Sequence, residues 1–274
     1  MLAGSMLTGV LAFCSGMGMG LLLATAGGGT LILSIIVLHY LLGITHTALF
    51  GTAAAVTTVN ALFLFRLRRE AFYGALRPAL WFGLPGLLGM TISRMIPHDV
   101  TTKWRLALLG FLMIINTMLS FILPKITRQS RGLHRKRLVM AGCGIGILVG
   151  YFGGTGGFLA LPSMLITGLP QSIAVSSSIL TVAGFSLTAA MRDIVRADVN
   201  WKVVLLYVLG VKSGLLTALR VLRLKPSKTF HWMAMALILL GGIFLLQQNW
   251  FSLYTPCLAL YDGIKGGLWN EFAT

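Results

Sequence analysis

The residues with the most pointed chemistry are two dense glycine clusters, Gly27-Gly28-Gly29-Thr30 and Gly153-Gly154-Thr155-Gly156-Gly157. Each interior glycine costs a helix about 1 kcal/mol against alanine, so runs this dense break one. A broken helix exposes backbone N–H groups and the positive end of a helix dipole, which together suit an anion. Hydroxyls could add contacts to an oxyanion, above all Thr52, in the group Thr52, Thr57, Thr58 and Asn60, and Ser177, in the group Ser176-Ser177-Ser178 and Thr181. Lys212 stands near the middle of an apolar run. A charge there is costly unless it snorkels or pairs, and an anion would be its partner. Each of these residues also has a plainer reading. Glycines let helix backbones touch, and hydroxyls satisfy helix carbonyls. The spaced ladders Gly16, Gly18, Gly20 and Gly142, Gly144, Gly146, Gly150 are best read as packing.

An absence narrows the chemistry further. The six acids, Glu70, Asp99, Asp193, Asp198, Asp262 and Glu271, fall in predicted loops or the C-terminal tail. Pumps and cation carriers keep intramembrane carboxylates, and hard cations want several oxygen ligands. A cation substrate is therefore disfavoured, an anion is favoured, and a neutral solute stays open. Cys14, Cys143 and Cys257 have no CxxC spacing, and the histidines form no ligand pattern, so no metal and no cofactor is expected. GxSxG and HExxH are absent; no catalytic residue is assigned, and the chain is not read as an enzyme.

These residues must be positioned by apolar elements. Of 274 residues, 57% are hydrophobic and only 10% charged, against about 25% charged in a soluble domain. The mean hydropathy is +0.88. That is an all-α polytopic membrane protein. The formal net charge of +16 would suggest nucleic acid in a soluble chain, but nothing beyond charge supports nucleic-acid binding. Basic loops that orient membrane helices account for it, and the expected partners are a lipid bilayer and a small anion. Homo-oligomerisation and a coupling ion stay open.

Apolar runs at about 47–65, 74–96, 106–123, 172–191, 203–220 and 230–248 are each long enough, at roughly 20 residues, to span a bilayer. Two longer stretches, 5–43 and 138–167, are broken by the glycines. Each is a span plus a re-entrant half-helix, or two short spans. The chain then has 8 transmembrane helices, or alternatively 10. The first run lacks a basic leader and is read as part of the mature fold rather than a cleaved signal. The densest basic cluster, Lys125, Arg128, Arg131, Arg135, Lys136 and Arg137, makes the 124–137 loop cytoplasmic. Charge bias does not choose between the two counts. Four crossings per half give parallel repeats and five give inverted ones.

The halves resemble each other. Gly16, Gly18, Gly20, Gly27 and Gly28 match Gly142, Gly144, Gly146, Gly153 and Gly154 at an offset of 126, and Gly43-Ile44-Thr45-His46 matches Gly168-Leu169-Pro170-Gln171 at 125. At that second offset Thr52 falls on Ser177. The expected organisation is a first membrane repeat over 1–123, a basic cytoplasmic linker over 124–137, a second repeat over 138–248 and an interfacial tail over 249–274. The tail carries Trp250, Phe251, Tyr254, Tyr261 and Trp269, residues suited to a membrane interface.

At the glycine clusters and their downstream turns the chain resembles the sulfite exporter TauE/SafE family of bacterial membrane permeases. The second half carries this best, from Gly146 through Gly150, the Gly153–Gly157 knot and Pro162 to Gly168-Leu169-Pro170-Gln171, Ala174 and Ser176-Ser177-Ser178. Asp198-Val199-Asn200-Trp201 also resembles a family loop. The first half departs, with Ser34 near one family proline and Thr45 at another. The resemblance implies a multi-pass inner-membrane permease for a small anion, a sulfur oxyanion or organosulfonate such as sulfite, thiosulfate or sulfoacetate. An anion channel, or a non-transporting membrane assembly partner, is the alternative.

Overall fold

The structure is a computed structural model, and it describes residues 2–26, 32–44, 46–67, 72–95, 102–126, 135–152, 159–196, 199–221, 232–233 and 235–249. Ten helices and no strand lie among the described residues. They are α1 (Leu2–Ala26), α2 (Leu33–Ile36), α3 (His46–Leu67), α4 (Phe72–Met95) and α5 (Thr102–Ile126). The second five are α6 (Arg135–Phe152), α7 (Ala160–Ile166), α8 (Gln171–Val195), α9 (Trp201–Leu216) and α10 (Met235–Asn249). A π-helical turn, Val37–Leu41, continues α2, and another, Thr217–Val221, continues α9.

α1, α3, α8 and α9 are long and apolar enough to cross a membrane. α4 and α5 match them in length but carry charge near their ends, at Arg77 and Arg94 and at Lys103, Arg105 and Lys125. Pro78 and Pro85 sit inside α4 without ending it, which neighbouring helices permit by re-satisfying freed carbonyls. Apolar side chains also point outward. On α4, Leu80, Leu84, Leu88 and Ile92 recur every fourth residue and are all exposed. Water would penalise such a stripe, whereas lipid tails match it. The chain is a polytopic helical membrane protein.

In the two long apolar stretches the described helices are α1 and α2, before and after residues 27–31, and α6 and α7, before and after residues 153–158; those intervening residues, on which the expected breaks fall, lie outside the described residues. α5 runs to Ile126 and α6 starts at Arg135, so both helices reach into the basic linker. Arg135, Lys136 and Arg137 open α6, where a helix dipole disfavours cations. The Arg135 guanidinium lies over the Trp81 ring of α4, 2.9 Å from its centroid, which holds that charge in place.

α3 and α8 form the centre and pack on each other. Of their apolar spans, 72% and 67% are buried, against 28% for α1. Around them the helices pair by backbone contact. A methyl added at Gly16 or Gly20 of α1 would land on the carbonyl oxygen of Tyr207 or Val211 of α9, and one at Gly210 or Gly214 on that of Phe13 or Met17. Residue numbers rise together, so α1 and α9 run parallel. α6 meets α4 in the same way: Gly142, Gly146 and Gly150 lie against Phe82, Gly86 and Met90. Gly18 and Gly144, the middle rungs, face open space. The ladders are therefore packing surfaces, with Gly16 and Gly20 of the first and Gly142, Gly146 and Gly150 of the second in contact, and Gly18 and Gly144 free.

The turns at Gly43 and Gly168 share a further feature. Both have positive φ, 62° and 91°, the left-handed conformation that glycine adopts without steric penalty. Each ends a short helix (α2 with its π turn, and α7) just before α3 or α8 begins.

Candidate functional site

Three residues of the expected site can be placed, and they lie on the central helices and the one beside them. Thr52 is fully buried on α3. Its Oγ1 accepts a hydrogen bond from the backbone N–H of Asn200 at 3.0 Å. Asn200 is also the N-cap of α9, its side chain accepting from Val203 N at 3.3 Å, which satisfies one of the orphan donors of that helix end. Ser177 is fully buried on α8, and its Oγ donates to the Ala75 carbonyl near the start of α4 at 2.9 Å. Ser177 in turn lends its own carbonyl to Thr181 Oγ1 at 3.0 Å.

The two hydroxyls thus perform matching tasks with opposite polarity. Thr52 accepts, so its own proton is left for a second partner. Ser177 donates, so its proton is committed to the helix. An anion needs donors, which makes Thr52 the better equipped of the pair. Most other hydroxyls of the two groups bond within their own helices: Thr58 to Ala54 O, Ser176 to Ser172 O, and Ser178 to Val175 O.

Lys212 is half-buried in α9, well inside the stretch formed by that helix and its π turn. Its Nζ lies 5.3 Å from the centroid of the Phe63 ring on α3, a cation–π contact. Asp193 is the one carboxylate among the described residues, and it sits in the last turn of α8. That is inside the helix rather than in a loop, yet still at its end. The glycine clusters, Gly27, Gly28, Gly29 and Thr30 with Gly153, Gly154, Thr155, Gly156 and Gly157, lie outside the described residues.

Further polar residues belong to the same interior: Asn60, which the sequence placed in the Thr52 group, and Tyr207, Asn116 and Arg105, which it did not assign to the site. The Tyr207 hydroxyl donates to Ser34 Oγ at 3.2 Å, with both residues buried. Asn60 on α3 is 1% exposed, and neither its Nδ2 nor its Oδ1 has a hydrogen-bond partner among the described residues. Asn116 Oδ1 on α5 and Arg105 Nε are unpartnered too, the Arg105 guanidinium lying 5.8 Å from the Phe50 ring centroid. A lone asparagine in an apolar run was the available signal for Asn116. Cys14 and Cys143 are free thiols, and no group of three or more metal-ligand side chains occurs among the described residues.

Comparison with known proteins decides the lineage. The family model described as "Sulfite exporter TauE/SafE" matches residues 1–245. The chain belongs to this family. It is 31% identical over 248 residues to "Probable membrane transporter protein" of Xylella fastidiosa strain Temecula1, covering 85% of this chain and 93% of that one. A protein of the same description from Xylella fastidiosa strain 9a5c is 30% identical over 247 residues, with the same coverage of both chains. "Probable membrane transporter protein YunE" of Bacillus subtilis strain 168 is 29% identical over 109 residues, 39% of this chain and 40% of that one. No solved structure matches the chain. A TauE/SafE chain of this kind is a membrane transporter, and the match ends within α10, so the 249–274 tail lies beyond the family pattern.

Proposed function

We propose that this protein is a secondary permease of the bacterial inner membrane for a small anion, a sulfur oxyanion or organosulfonate such as sulfite, thiosulfate or sulfoacetate. The observation that carries this is the placing of charge inside the membrane. Lys212 lies well inside α9, while Asp193, the one carboxylate among the described residues, closes α8. An interior with a cation and, among the described residues, no carboxylate away from a helix end suits an anion. Gly27 to Thr30 and Gly153 to Gly157 would add backbone N–H donors, Thr52 a hydroxyl proton, and Ser177 the seating of α8 on α4.

The same reading gives ten crossings in two inverted halves, α1–α5 and α6–α10, with the 124–137 loop cytoplasmic. Helix direction supports it. α1 and α9 are parallel, as are α4 and α6. α3 runs with α9, since Thr52 meets Asn200 and Phe63 meets Lys212. α8 runs with α4, since Ile173 neighbours Gly74, Ser177 meets Ala75 and Phe185 meets Gly86. The four residues between α3 and α4 are too few to recross a membrane, so two crossing helices there oppose each other. With α1 and α3 both crossing one way, the chain must return between them, as it must between α6 and α8. Matching helices of the two halves then point in opposite directions, the arrangement of an inverted repeat.

Two bundles emerge, α1, α2, α3 and α9 on one side and α4, α6, α7 and α8 on the other, each drawing helices from both halves. The bonds of Thr52, Ser177 and Tyr207 stay within a bundle. The α3–α8 seam is where alternating access would move them. Uptake of labelled sulfite, thiosulfate and sulfonates into proteoliposomes tests the proposal. Saturable anion movement supports it; a divalent cation moving in place of any anion rejects it; conductance far above carrier turnover assigns an anion channel.

A further inference from the structure

The two halves differ most tellingly at one pair of equivalent positions. The offset of 125 that relates Thr52 to Ser177 also relates Asn200 to Ala75, and those four residues make the two matching hydrogen bonds. It further relates Asn60 to Phe185, and Val211 to Gly86. In the second half the Phe185 ring is buried and packs on Gly86, so closely that a methyl there would meet its Cζ. The equivalent contact in the first half would set Asn60 beside Val211, next in sequence to Lys212. A smaller side chain would suit the larger valine there, but size does not explain the amide. Leucine or methionine would fill such a place without a polar group to desolvate.

That amide is costly as it stands. A buried polar group without a hydrogen bond is penalised, and both Asn60 Nδ2 and Oδ1 lack partners. Asn60 also lies one turn before Phe63, the residue that meets Lys212, and side chains three apart share a helix face. The interior therefore holds, among the described residues, an unpartnered donor and an unpartnered acceptor, with an ammonium group on the adjoining helix.

We infer that Asn60 and Lys212 form a subsite for an oxyanion carrying one proton, such as hydrogensulfite. Lys212 balances the charge, Asn60 Nδ2 donates to an anion oxygen, and Asn60 Oδ1 accepts the proton that the anion retains. A fully deprotonated anion such as sulfate leaves Oδ1 unpaired and is rejected, because a site built to hydrogen-bond discriminates strongly against a ligand lacking the matching group. This rests on the permease reading and names the form of anion that the site takes.

The test compares the wild type with Asn60→Leu and Asn60→Ala, using sulfite and sulfate at slightly acidic pH. Uptake into proteoliposomes and ligand-induced thermal shifts in detergent are both read. For the wild type, sulfite should be moved and should raise the melting temperature, with sulfate a poor competitor. Asn60→Leu, relieved of the unpaired amide, should melt no lower than the wild type without ligand. It should lose the sulfite-induced shift and raise KM about tenfold or more, the worth of one hydrogen bond to a charged group. Asn60→Ala keeps the test open if leucine does not fit. Unchanged KM and thermal shift in either folded variant overturn the subsite while leaving the permease standing. A wild type that moves neither sulfite nor any other anion removes the permease reading, and the subsite with it.

Discussion

The Tyr207 hydroxyl on α9 donates to Ser34 Oγ on α2 at 3.2 Å in a fully buried setting. At the offset of 125, the residue equivalent to Tyr207 is Phe82, which has no hydroxyl to place. Ser34 is also where the first half departs from the proline of the family pattern. The two departures answer each other: a tyrosine in one helix calls for an acceptor in the other. The interaction can be isolated by a double-mutant cycle. Tyr207→Phe alone should lower stability by about 0.6–1.7 kcal/mol, the range for such bonds between membrane helices. Adding Ser34→Ala should cost little more, because both partners are then gone. Thermal unfolding in detergent reads the coupling, and additive losses would show that the hydroxyls act separately.

The glycine ladders give a sharper contrast within a few residues of sequence. At Gly146 a methyl would fall on the carbonyl oxygen of Gly86, and at Gly142 on that of Phe82, whereas Gly144 has open space around it. Gly146→Ala should force α6 from α4 and destabilise by about 1–3 kcal/mol, the usual cost of overpacking. Gly144→Ala should be neutral or stabilise by a few tenths to about 1 kcal/mol through helix propensity. Gly16 and Gly18 in α1 should repeat the pattern against α9. Equal effects at the contact and open rungs would refute the backbone-to-backbone packing of these helices.

Much of this was legible in the sequence because membrane constraints are simple. The apolar runs marked out α3, α4, α5, α8, α9 and α10 to within a few residues at most of their ends, and glycine spacing exposed the two ladders. The turns at Gly43 and Gly168 were marked by their matching glycines in the sequence, and both carry positive φ. What stayed hidden was pairwise and long-range. Nothing local tells that Thr52 accepts from Asn200 while Ser177 donates to Ala75. Nor does a lone Asn60 in an apolar run reveal that its amide goes unpaired. Crossing number was illegible because loop charges divide alike under either count, and helix direction, a long-range property, leaves no trace in them.

Thr52 and Ser177 should respond differently to loss of their hydroxyls. Ser177→Ala removes a donor to the Ala75 carbonyl, so stability should fall by about 0.5–1.5 kcal/mol with KM for sulfite unchanged. Thr52→Val loses the acceptor for Asn200 N–H and the proton offered to the anion, and KM should rise about tenfold. Thr52→Ser should restore both. Parallel KM and melting curves distinguish the roles, and a KM that rises only with Ser177→Ala would reverse them.

Lys212 carries the charge argument, so its replacement should separate charge from packing. Lys212→Met keeps an unbranched apolar stem against Phe63 and should fold normally. Its kcat/KM for anion uptake should drop about tenfold or more, at least ~1.4 kcal/mol of lost stabilisation. Lys212→Arg should retain much of the activity, since the positive charge and the cation–π contact both survive. Full activity in Lys212→Met would reduce the lysine to a snorkelled cation.

Sidedness tests the inverted arrangement directly. α3 and α9 run one way and α4 and α8 the other, so the segments after α5 and after α9 should share a membrane face, with the α8–α9 turn on the opposite one. Single cysteines at Ser130, Ala197 and Ser227, placed in a chain whose Cys14, Cys143 and Cys257 are replaced, report this through a membrane-impermeant maleimide applied to intact cells. Ten crossings with a cytoplasmic 124–137 loop protect Ser130→Cys and Ser227→Cys and label Ala197→Cys. Eight crossings reverse the last two, labelling position 227 and protecting 197. The label at these two positions thus distinguishes inverted from parallel halves, independently of which anion the protein carries and of whether Lys212 binds it.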